Sequence, residues 1–125
     1  MYFIKFLILS FILFGCSSLN RTPSFQACFE DKPRLEARSK ELDLIVQADQ
    51  NDRKDWNQKS FDEMMVVANR DSVRRQRVGE IFGEGCFSKA EDFAAAALVY
   101  QHGSVPEHFF QTFIWAKRAY ELGDV

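Results

Sequence analysis

Apolar residues recur at helical spacing along most of this chain, and no segment alternates as a half-buried strand would. Pro33 suits the first turn of a helix. Leu35, Leu42, Ile45 and Val46 then mark one face to about Asp52, and Asp49, Arg53 and Trp56 extend the stripe. Ser60 and Glu63 form a capping-box pattern ahead of Met64, Met65, Val66 and Val67, which predicts a short helix or a buried extended segment. Asn69-Arg70-Asp71 reads as a break, with Asp71 capping a further helix from about Ser72 to Phe82. Val78, Ile81 and Phe82 would face inward there, and Gly83 or Gly85 would end it.

The last third is the most sharply punctuated. Ser88-Lys89-Ala90-Glu91 is a second capping-box pattern, followed by Phe93, Ala94, Ala97, Leu98 and Tyr100, with Gly103 as the stop. Pro106 opens the next helix, Glu107 suits its positive end, and Gly123 supplies its cap. Phe109, Phe110, Phe113, Ile114, Trp115, Ala116 and Tyr120 make that helix strongly apolar. Two helices joined by Gly103-Ser104-Val105 form an αα-hairpin. The expectation is an all-α domain of about four to five helices over residues 33–125.

Ahead of it, Lys5 precedes an apolar run from Phe6 to Gly15 broken only by Ser10. Ten helical residues cover about 15 Å, half a hydrocarbon core, so this is a leader over residues 1–15 and not a stable span. Residues 16–32 are polar, contain Pro23 and lack periodicity, as a tether would; Phe25 and Phe29 are positioned to dock on the domain. Lys5 is the leader's one charge, so the remainder carries 15 basic against 18 acidic side chains, a net charge of −3. That balance argues against a nucleic-acid partner or general attraction to anionic lipid.

Leu13-Phe14-Gly15-Cys16 resembles the lipobox of bacterial lipoproteins. The resemblance implies that Cys16 is diacylated, that the leader is cut just before it, and that the membrane is held through lipid. The alternatives are plain secretion after a small-x-small site, which Leu13 at −3 fits less well, and an uncleaved anchor. Ser17, where that family uses Asp for inner-membrane retention, implies the periplasmic face of an outer membrane. Two cysteines then remain, Cys28 and Cys86, in a compartment that permits disulfides. They are either a staple closing a long loop or two unpaired thiols. With His102 and His108 they show no paired zinc-ligand spacing, so no metal and no cofactor is expected.

The run Ala97-Leu98-Val99-Tyr100-Gln101-His102-Gly103-Ser104-Val105-Pro106, continuing through Trp115-Ala116-Lys117-Arg118-Ala119-Tyr120-Glu121-Leu122-Gly123, resembles one Sel1-type repeat. Such tetratricopeptide-like hairpins stack into surfaces that bind proteins or peptides. The second turn glycine of that repeat is missing here, and only one repeat is found. A second resemblance, to a little-characterised family of bacterial helical domains, rests on Asp49-Gln50-Asn51-Asp52-Arg53, Asp71-Ser72-Val73-Arg74-Arg75 and Gln101-His102-Gly103. It spans residues 42–124. Members run on past the last glycine, which implies a short or truncated member here; the family brings no assigned activity.

Asp49 and Arg53 share a helix face, and Arg74 and Arg75 could meet them near His102. Such a cluster either binds an anion or peptide carboxylate, since Arg forks suit planar anions, or is a structural ion-pair network. His102 beside a helix stop is more often a cap than a base. Phe109, Phe110, Phe113 and Trp115 are core, or an interface for an envelope protein or a second copy. No catalytic constellation is evident. The leading expectation is a periplasm-facing lipoprotein with a small helical interaction or structural module. The alternative is a ligand-binding or hydrolytic domain using the Asp/Arg/His cluster.

Overall fold

The computed structural model describes residues 28–123, and among them every regular element is helical. Four α-helices follow a 3₁₀ turn at Cys28–Glu30: α1 (Lys32–Arg53), α2 (Phe61–Gly83), α3 (Ala90–Tyr100) and α4 (Pro106–Leu122). A second 3₁₀ turn, Trp56–Gln58, links α1 to α2. Among these residues no helix is long and apolar enough to cross a membrane. The expected leader, Cys16 and Phe25 lie outside the described residues, and Phe29, expected to dock on the domain, is 67% exposed.

The local signals place most of the ends. Asp31 accepts from the Arg34 amide at 3.1 Å, and Pro33 occupies the first turn of α1. At α2 the Ser60 hydroxyl accepts from the Glu63 amide, while the Glu63 carboxylate accepts from the Ser60 amide at 2.7 Å. Gly85, at φ 71°, closes α2: its amide donates to the Phe82 carbonyl and that of Cys86 to the Ile81 carbonyl. Gly103 is required for close approach, because a Cβ there would stand 2.3 Å from the Cβ of His108.

Three expectations are corrected. Asn69-Arg70-Asp71 does not interrupt anything: α2 is one continuous helix, and Asp71 is a buried mid-helix residue and not a cap. The triplet holds no Gly or Pro, and its charges are engaged by α1, which removes the reason to break. At α3 the reaching carboxylate is Asp92, not Glu91; it accepts from the amides of Ser88 (2.9 Å) and Lys89 (3.1 Å). Asp92 also accepts from the Ser39 hydroxyl at 2.6 Å, which pins the start of α3 to α1. Finally, residues 28–32 belong to the fold and not to a tether. Cys28 is fully buried, its amide donates to the Glu84 carbonyl at 3.1 Å, and its sulfur is bonded to that of Cys86.

Helix α3 is the hub, packing on α1, α2 and α4. Its Ala95, Ala96 and Ala97 are buried, which lets neighbouring helices close in. Leu42, Val78, Ile81, Val99 and Trp115 complete the core around the Cys28–Cys86 bond. Trp115 reaches it from α4, with its ring centroid 4.7 Å from that of Tyr100 and 5.3 Å from that of Phe82. Helices α1 and α2 run antiparallel, joined by an ionic ladder whose rungs include Arg38–Glu84 at 2.8 Å and Arg77–Glu41 at 2.6 Å.

Candidate functional site

The polar cluster anticipated from sequence assembles where α1, α2 and the α3–α4 turn meet. Asp49 is 1% exposed. Its Oδ1 lies 3.0 Å from His102 Nδ1 and accepts from Arg53 Nη2 at 3.4 Å, while Gln50 donates to Oδ2. Arg53 Nη2 also donates to Asp71 at 2.7 Å, and Arg74 Nη1 holds the other Asp71 oxygen at 2.9 Å. Arg75 reaches the turn differently, through the His102 carbonyl at 2.6 Å. Arg74 does not join Asp49 or His102; it turns to Asp52 and the Ala48 carbonyl. The cluster therefore splits into an inner Asp49–Arg53–His102 node, centred on the buried Asp49, and an outer Asp52–Arg70–Arg74 node, with Asp71 bridging them.

A cleft of about 370 Å³ opens beside the inner node, lined by Arg53, Trp56, Ala68, Asp71, His102 and Gly103. The Arg53 guanidinium lies 5.4 Å from the Trp56 ring centroid. Its Nη1 is buried with no hydrogen-bond partner. None of the lining residues carries a hydroxyl or thiol; the carboxylate among them is Asp71. Among the described residues no three His, Cys, Asp or Glu gather as metal ligands.

The arginines also set the acid response. Arg70, bonded to both Asp52 oxygens, and then Arg74 hold that carboxyl at about 2 against the opposing effect of burial. Glu84 is lowered chiefly by Arg38 and Glu41 chiefly by Arg77. Carboxyls depressed by folding stabilise the fold above their unfolded values near ~4, and that contribution disappears as pH falls toward about 2. The melting temperature should therefore be level between about pH 5 and 7 and fall between about pH 4 and 2. Calorimetry across that range checks it; a melting temperature that holds steady down to about pH 2 would mean the ladder contributes nothing.

The second region is the outer side of α4. Phe109 (52%), Phe110 (66%), Phe113 (61%) and Tyr120 (69%) are all well exposed. Trp115, read as a candidate interface residue, is 3% exposed and belongs to the core, because it lies on the side of α4 that meets α3. Phe113 stays at the surface with Phe109 and Phe110, and Tyr120 joins them. Between α3 and α4 runs a groove of about 270 Å³ lined by Ala94, Ala97, Leu98, Gln101, Thr112, Ala116 and Ala119. A second exposed apolar row, Phe61, Met65, Val66 and Val73, lies on α2. Compared with protein-family models, curated proteins and solved structures, the chain finds no match in any of the three.

Proposed function

We propose that this chain is a lipoprotein anchored through Cys16 on the periplasmic face of a bacterial outer membrane, and that its helical domain is a protein-interaction module. The observation that carries the interaction reading is the aromatic surface of α4, where four rings on one helix are more than half exposed. Rings this exposed present about 500 Å² at roughly 200 Å² each, the size of a functional patch and not of scattered surface residues. The α3–α4 hairpin is read as one Sel1-type unit, whose relatives use stacked helices for binding partners. The envelope address rests on the Leu13-Phe14-Gly15-Cys16 lipobox. The Cys28–Cys86 bond supports it, since such bonds persist outside the reducing cytosol.

Phe113→Asp or Phe110→Asp should leave helical circular dichroism unchanged, because both rings are exposed, and should abolish cross-linked adducts recovered from envelopes. Unchanged adducts in both folded variants would refute the interaction role of this face.

The second reading is a small-ligand site in the Arg53–Trp56–His102 cleft, favoured by the unpartnered Arg53 Nη1. It ranks lower because Arg53 already faces two carboxylates, Asp49 and Asp71, which weakens its pull on a further anion.

A further inference from the structure

We infer that the partner of the α4 face is a second copy of this chain, paired antiparallel through α4. This rests on the interaction reading above and names its occupant. Phe109, Phe113, Ala116 and Tyr120 step along α4 by four, three and four residues. That is the alternation of a coiled-coil seam, and it reads the same in both directions. A two-fold axis between Ile114 and Trp115 therefore sets Phe109 against Tyr120 of the second copy and Phe113 against Ala116. Large meets small in the central layers, as knobs into holes require.

The hole is present on the same surface as the knob. Ala116 lines the groove between α3 and α4, whose floor is formed by the buried Ala97 and Ala119. An incoming Phe113 ring would enter it beside the exposed Leu98, which lines the same groove. On the solvent side of the seam the same axis brings Phe110 alongside Lys117 of the second copy, offset by about 3 Å along the helices, a cation beside an aromatic ring. A surface that carries both the protrusion and its receptacle about one axis is self-complementary, the requirement of an isologous dimer. With Leu98, Val105 and the groove added to the four rings, the face approaches the ~800 Å² per partner of a standard interface.

Two variants of the full chain, Phe109→Cys and Tyr120→Cys, are produced separately and together, and oxidised in the membrane. A covalent dimer should dominate only where both are present. Each variant alone should give a trace, because like positions would stand about 16 Å apart along the paired helices, beyond disulfide reach. Phe110→Cys with Lys117→Cys provides an independent second pair on exposed positions. A dimer from Phe109→Cys alone would overturn the antiparallel arrangement. No dimer from either mixed pair would overturn the second copy as occupant; if Phe113→Asp still loses envelope adducts, the interaction reading survives with another partner. No dimer together with adducts unchanged by Phe113→Asp would overturn both readings.

Discussion

Reducing the Cys28–Cys86 bond is expected to lower the melting temperature of the domain by about 20 °C. The cysteines are 58 residues apart in sequence, and a loop of that length contributes about 4 kcal/mol by restricting the unfolded chain. For a domain of this size each kcal/mol moves the midpoint by about 4–8 °C. The location sharpens the effect. The bond ties the 3₁₀ turn ahead of α1 to the turn that closes α2, with both sulfurs inside the core. Thermal melts with and without reductant, repeated on Cys28→Ser/Cys86→Ser, give the number. A shift under about 5 °C would show that neighbouring packing holds this corner without the bond.

The second large effect is at Asp49. Asp49→Ala should cost about 1–3 kcal/mol, since it removes the carboxylate facing His102 and one of the two facing Arg53, leaving Asp71 as that arginine's partner. Arg53 is the sensitive member, because its Nη1 already lacks an acceptor. Asp49→Asn keeps the shape and one acceptor, and should cost clearly less. Urea denaturation at constant m-value reads both. A cost under about 1 kcal/mol for the alanine variant would contradict a structural network and favour the cleft as the reason for the cluster.

Sequence patterning located α1, α3 and α4 because each carries its own punctuation: Pro33 and Pro106 at starts, Gly103 and Gly123 at stops. The long α2 was not legible, since Asn69-Arg70-Asp71 has the composition of a turn. The helix runs on through it, and Arg70 and Asp71 meet Asp52 and Arg53 of α1, contacts that no local window contains. The ion-pair cluster was legible as a set of residues, and its partition was not. Arg74 and Arg75 are adjacent in sequence but point 100° apart on the helix, so one faces Asp52 and the other the turn. On α4 the aromatic run is visible in sequence, while the choice of Trp115 as core and Phe113 and Tyr120 as surface follows from where α3 lies. The Asp92 cap was missed for a similar reason, as Glu91 stands at the position the simple pattern favours. Glu84, the centre of the ladder with Arg34 and Arg38, gave no sequence signal at all.

We propose an exported domain held to the membrane through Cys16. Mass spectrometry of the intact protein from bacterial envelopes, with and without reductant, tests it most directly. The expected species is a chain beginning at an acylated Cys16 that gains two hydrogen atoms on reduction as Cys28 and Cys86 separate. A chain retaining Met1, or one cut without acylation, or one whose Cys28 and Cys86 are free before reduction, would contradict it.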